Sequence, residues 1–166
     1  MACLLNLDEV MGYTAGERAR WEHWFQSQPP AVLDASVQKE GDFHDVWRLI
    51  DHIFLVEKRH TLRLKGETQL PVETGVARGD LHALFGYGRT VRAEFTQFVH
   101  SAGDAGLSRT IEFQYRGKDL RFTARKLIFH VLFHEIRHWA QIATAVRNAG
   151  FPPPGFHDLL FSDALE

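Results

Sequence analysis

The chain has 166 residues and one cysteine, and its 19 Lys+Arg against 21 Asp+Glu give a formal net charge of −2. This length suits one domain over 1–166 with a core of its own, and a single cysteine, Cys3, excludes an internal disulfide framework. The charge balance excludes a generic grip on nucleic acid, which needs a basic stripe to displace counterions; no uncharged run approaches a membrane span, and MACLLNLDEV lacks the basic start of a signal peptide, so the expected compartment is the cytoplasm.

A first helix is expected from about Asp8, as its cap, to Gln26, with Val10, Tyr13, Trp21, Trp24 and Phe25 as its apolar bulk. Pro29-Pro30 ends it, because neither residue has a backbone N–H. A second helix runs from near Asp42 to Lys65, where Gly66 stops it. Its Val46, Leu49, Ile50, Ile53 and Phe54 follow the i, i+3, i+4 spacing of a buried face. The stretch from Gly66 to Arg78 is long for a bundle loop and reads as a crossover. A third helix follows from Asp80 to about Ser101 on a stripe of Leu84, Tyr87, Val91, Phe95 and Phe98, broken by Gly103, Asp104 and Gly106.

In RTIEFQYRGKDLRF, Ile111, Phe113 and Tyr115 alternate with Thr110, Glu112 and Gln114. Period two around Arg116-Gly117-Lys118 predicts a small β-hairpin. The longest helix then opens at Thr123 and runs to Asn148, stopped by Gly150 and a triple proline, with a short last helix near His157 to Leu165. The expected fold is all-α: a four-helix bundle with a long crossover connection and a small β-hairpin before the last long helix.

Ten histidines are the unusual count, and three of them, His130, His134 and His138, stand four apart in LIFHVLFHEIRHWAQIA. Residues i and i+4 differ by about 40° around a helix, so all three project from one side, together with Leu127, Val131, Ile142 and Ala145. That face should point into the bundle. Buried imidazoles need partners for their ring nitrogens. An i, i+4 pair can share one divalent ion, whereas His130 and His138 lie about 12 Å apart along the axis and cannot. The alternative is a set of core histidines bonded to backbone, carboxylates or water. A further ligand must come from a second helix, which offers His44, His52 and His60. On the wheel His60 lies near the centre of the apolar face and His52 at its border, and phase alone does not choose.

His134-Glu135-Ile136-Arg137-His138 is also a literal H-E-x-x-H. In zinc peptidases the glutamate of that motif activates the metal-bound water. Such enzymes need a later third ligand, here only His157 or Asp158, and a sheet edge for extended substrate. Both are poorly supplied, which leaves Glu135 as a surface acid or an acid beside the ligand pair.

The segments KLIFHVLFHEIRHWAQIATAVRNAGFPPP and LIDHIFLVEKRHTLRL, in this order and with the hairpin between them, resemble the DinB/YfiT-like family of metalloenzymes over essentially the whole chain. The resemblance implies a bundle with one long crossover, often paired as a homodimer, and a divalent metal held by His52, His134 and His138. His130 then matches a recurrent histidine that is not a ligand. The family often reads Arg-Gly-Gln after its last ligand, where this chain has Trp139-Ala140-Gln141, so Gln141 is kept and a cation is lost.

Three neutral imidazoles leave an ion at +2 with an open position, which favours chemistry over a closed structural site. Such an ion lowers the pKa of bound water or ionises a thiol. Some relatives are thiol-dependent, so the leading expectation is S-transfer on a small-molecule substrate with a low-molecular-weight thiol such as bacillithiol, mycothiol or glutathione. Hydrolysis by a metal-bound water and a non-catalytic metal-binding bundle are the alternatives, and no general base is assigned. Zn²⁺ and Ni²⁺ lead the choice of metal, ahead of Fe²⁺ and Mn²⁺. Helix four is apolar nearly all round, with Phe129, Phe133 and Ile136 opposite the histidines, which fits burial against a second copy in a homodimer.

Overall fold

A computed structural model describes residues 6–38, 43–155 and 159–162. Four long helices, α1 (Leu7–Gln26), α2 (Val46–Lys65), α3 (Leu81–Ser108) and α4 (Ala124–Asn148), form a bundle, and a hairpin of β1 (Thr110–Tyr115) and β2 (Lys118–Thr123) precedes α4. The expected elements are all present, with differences at their ends. Asn6 rather than Asp8 caps α1: its side chain accepts from the Asp8 N–H while Glu9 returns to the Asn6 N–H, a complete capping box. The α2 helix starts at Val46 because the Asp45 side chain accepts from the Arg48 N–H, and a bridge between Ser36 and Asp45 keeps the preceding chain extended; Asp42 lies outside the described residues. Gly103 does interrupt α3, at φ 57° and ψ −177°, yet the helix resumes to Ser108.

Pro29-Pro30 ends α1 as expected but also starts a 3-10 turn over Pro30–Asp34 that the sequence reading did not anticipate, burying Val32 and Leu33. At the C-terminal end a 3-10 turn over Leu159–Phe161 stands where a short helix was expected. His157, Asp158 and Cys3 lie outside the described residues.

Two cores occupy the two ends of the bundle. One gathers Trp21, Phe25, Trp47, Ile50, Phe54, Phe85 and Trp139, and the other Val10, Leu64, Phe95, Ile111, Leu127 and Ile128. Reading these residues along each helix gives the directions. The α2 and α3 helices both run from the first core to the second, and α1 and α4 both run back. Two consecutive parallel helices cannot be joined by a tight turn. The 66–80 connection therefore returns along α2, where Arg59 donates to the carbonyls of Pro71 and Val72 and Thr74 donates to Asp51. This is the crossover its length predicts. The αL conformation of Gly66 (φ 88°) turns the chain out of α2, with the Glu67 N–H bonded to the Leu62 carbonyl.

The hairpin turns at Arg116 and Gly117, both at positive φ, the pairing of a type I′ turn, and the Tyr115–Lys118 pair closes it. It covers the second core with Ile111, Phe113 and Phe122 and runs directly into α4. The Thr123 side chain accepts from the Lys126 N–H and so fixes where α4 begins.

Candidate metal site

His134 and His138 stand one turn apart on α4, and α2 packs against that face. His52 of α2 meets them there. Its Nε2 lies 3.2 Å from the His134 Nε2, and the His138 Nε2 lies 3.0 Å from the same atom. All three ligand atoms fall within 4.8 Å of one another, and among the described residues the group contains imidazoles only, with no carboxylate or thiolate. His134 and His138 are buried, at 9% and 7% exposure, while His52 is half-buried, with the Phe43 ring tilted against it at 3.9 Å between centroids.

The donor set fits a divalent ion. Bonds of about 2.0–2.1 Å in a tetrahedral site place neighbouring nitrogens about 3.3–3.4 Å apart, close to the spacing seen here. One neutral imidazole nitrogen either donates or accepts, so His134 Nε2 cannot bond well to two others at once; a shared cation satisfies all three. Burial, then the neighbouring His138, then Arg59 and Arg137, push His52 down to about 4. Burial, then His138 and His52, push His134 to about 2. His138 is lowered by burial, partly opposed by its bond to Gln141. All three are neutral at pH 7, so protons do not compete for the site.

The Gln141 Oε1 stands 2.5 Å from the His138 Nδ1. An amide oxygen only accepts, so the proton is on Nδ1 and the Nε2 lone pair faces the other two rings. Gln141 thus selects the tautomer that a ligand requires.

The remaining histidines do not join. His60, near the centre of the apolar face on the wheel, is half-buried and its Nδ1 accepts from Arg63. His130 is exposed, contrary to the expectation that all three α4 histidines point inward, with its ring 5.4 Å from His60 and 5.5 Å from His134. His44 is exposed beside Asp45.

Glu135 is neither a surface acid nor a neighbour of the ligand pair. It is 2% exposed and points into the middle of the bundle, away from the imidazoles. There Arg18 of α1 grips it with two bonds of 2.9 and 2.8 Å, Arg92 of α3 holds its Oε2, and the Trp139 indole donates to its Oε1. The same two arginines bind Glu57 of α2 at 2.8 and 2.6 Å. Arg18 also donates to the Gly88 carbonyl, and Arg92 to Thr14. Two guanidinium and two carboxylate groups, one from each helix, form a neutral layer between the two cores. Burial alone would push Arg18 down, but Glu135 and Glu57 outweigh it and raise it. Burial likewise opposes ionisation of Glu135, and Arg18 and Arg92 reverse that and hold it below the usual carboxylate range. An acid so engaged has no lone pair to give to a water at the imidazoles, which removes the peptidase role for the H-E-x-x-H sequence.

The sequence signal for this layer was a charged residue on each apolar helix face: Arg18 three residues before Trp21, Glu57 after Phe54, Arg92 beside Val91 and Glu135 before Trp139.

The profile of the DinB superfamily matches residues 13–142, which takes in all four helices and the three imidazoles. The chain belongs to the DinB superfamily. Among solved structures, this DinB protein is similar to YfiT from Bacillus subtilis, described as a probable metal-dependent hydrolase with an unusual four-helix bundle topology. The TM-score is 0.71 at 14% identity over 91% of this chain and 93% of that one. It is also similar to the DinB-like protein YjoA from Bacillus subtilis, with a TM-score of 0.58 at 18% identity over 90% of this chain and 97% of that one. At these identities the likeness is one of fold. No curated protein matches the sequence.

Proposed function

We propose that this DinB protein is a metal-dependent enzyme of small-molecule chemistry, with His52, His134 and His138 as the ligands of one divalent ion, and that its reaction is transfer to a low-molecular-weight thiol. The convergence of three Nε2 atoms from two helices carries the metal reading. A divalent ion held by neutral imidazoles supplies a Lewis acid that ionises a thiol or acidifies water.

The chain's own residues favour the thiol. Glu135 is committed to Arg18 and Arg92, and among the described residues no carboxylate shares the imidazole group. A thiol, with a pKa of about 8.5, needs far less help to ionise than water does. What the protein supplies is positioning: α2 and α4 hold the three rings, Gln141 fixes one tautomer, and Phe43 covers His52. Zn²⁺ and Ni²⁺ are the leading candidates, since borderline imidazole sites suit both.

Hydrolysis is the second reading, favoured by the fold likeness to YfiT. A panel of thiols offered to a soft electrophile, with and without chelator, separates the two. Chelator-sensitive turnover that requires thiol supports S-transfer. Chelator-sensitive loss of an ester or amide without thiol replaces it with hydrolysis.

We propose further that two copies pair through the outer side of α4, where Phe133 is 51% exposed and stacks on Phe129. Phe133→Asp then gives monomers by sedimentation, and a wild-type protein already monomeric at micromolar concentration rejects the pairing.

A further inference from the structure

An open cavity of about 410 Å³ lies on the flank of α4 next to His138, bordered by the 36–37 segment. Its volume is within the range of small-ligand sites. Among the described residues its polar lining is Ser36, Arg137, Gln141, Thr144 and Asn148, with no acidic side chain. We propose that this cavity binds the carboxylate of a small anionic molecule, held by the Arg137 guanidinium and the Gln141 amide N–H. This deepens the metal-dependent reading and rests on it for its role: the bound molecule is the substrate of that reaction, docked on the Gln141 side of His138.

The polarity of the lining supports an anion. Arg137 is exposed and makes no ion pair among the described residues. Gln141 has spent its oxygen on the His138 Nδ1–H, which leaves its NH₂ as a donor. Thr144 donates to the Ala140 carbonyl and Ser36 to the Gln38 carbonyl. A guanidinium fork and an amide donor match the two oxygens of a carboxylate in one plane. The negative end of the α4 dipole opposes an anion, but its effect is confined to the last turn, and Arg137 stands well before Asn148.

The position is also informative. Arg137, Gln141 and Thr144 follow one another at helical spacing beside the face that carries His134 and His138. The residue that fixes the His138 tautomer is therefore also a wall of the cavity. An anion there and a cation among the imidazoles attract each other, and by linkage each tightens the other by the same factor.

Succinate, its neutral analogue succinamide and inorganic phosphate serve as probes in calorimetric titrations of the chelator-treated and the zinc-loaded full chain. Succinate is expected to bind at least about tenfold more tightly than either other probe. Arg137→Gln is expected to remove that preference, and Thr144→Phe to block the cavity sterically. Arg147→Gln, an exposed arginine that does not line the cavity, keeps wild-type binding. Equal binding of succinate and succinamide, phosphate binding at least as tight as succinate, or an unchanged preference in Arg137→Gln overturns the proposal. Zinc stoichiometry in the same samples separates the two readings. Succinate selectivity without zinc binding retires the metal reading and leaves the anion site, while zinc binding without succinate selectivity does the reverse.

Discussion

Glu135 and Gln141 are the residues whose roles change most between sequence and structure. The first looks catalytic in H-E-x-x-H, yet it stands about 100° around the helix from His134 and about 60° from His138, on another helix face. Truncating it leaves Arg18 and Arg92 buried with one partner fewer. Glu135→Ala is therefore expected to cost about 3–5 kcal/mol in denaturant unfolding, while the folded protein keeps its metal stoichiometry. Loss of metal at unchanged stability would mean that Glu135 faces the ion after all. Gln141→Leu acts oppositely. The side chain is exposed and stability should barely move, but without its acceptor the His138 tautomer is free, and metal affinity should fall about 10–100-fold in a competition titration. Of the three clustered imidazoles, the spacing of His134 and His138 was readable as a ligand pair. His52 was not, because the choice among His44, His52 and His60 depends on how α2 is rotated against α4, which helical phase alone does not settle.

At the scale of the elements, periodicity and breakers located α1 to α4 and the hairpin, since strong amphipathic stripes end at Pro, Gly or a capping side chain. The misplaced details are those decided by tertiary contact. Arg18, Glu57 and Arg92 drew no role from the sequence, and only the assembly of four helices shows that they and Glu135 neutralise one another. The closeness of α2 and α3 was equally hidden. A Cβ at Gly88 would stand 2.8–2.9 Å from the Phe54 ring, so the glycine there permits the helices to touch. Gly88→Ala is expected to destabilise by about 1–3 kcal/mol through overpacking, despite its better helix propensity. Phe54→Leu in the same chain should recover part of that loss. A stabilising Gly88→Ala would show that the packing is looser than the geometry implies.

For the whole molecule, the parallel run of α2 and α3 is what forces the long connection, and length alone made that legible. The histidine cluster also gives the molecule a pH signature. His52 and His60 are pushed from 6.5 to about 4 and about 3, chiefly by burial. Between pH 6.5 and those values the unfolded chain binds protons that the native state does not, so native stability falls as pH falls. Metal-free protein should hold its Tm above pH 7 and lose it progressively between pH 6.5 and 4, and a bound divalent ion should raise the Tm throughout the neutral range. A Tm that is flat from pH 7 to 5 would show that the imidazoles are solvated in the native state. Among the described residues no helix is long and apolar enough to cross a membrane.

The account turns on one cation shared by side chains of α2 and α4, and X-ray absorption at the metal edge on metal-loaded protein, with metal content measured for each histidine variant, addresses it most directly. The expected result is about one ion per chain with three imidazole nitrogens at about 2.0–2.1 Å, lost in His52→Ala and His138→Ala and retained in His60→Ala. Full occupancy in His52→Ala, or a spectrum dominated by oxygen ligands, would contradict it.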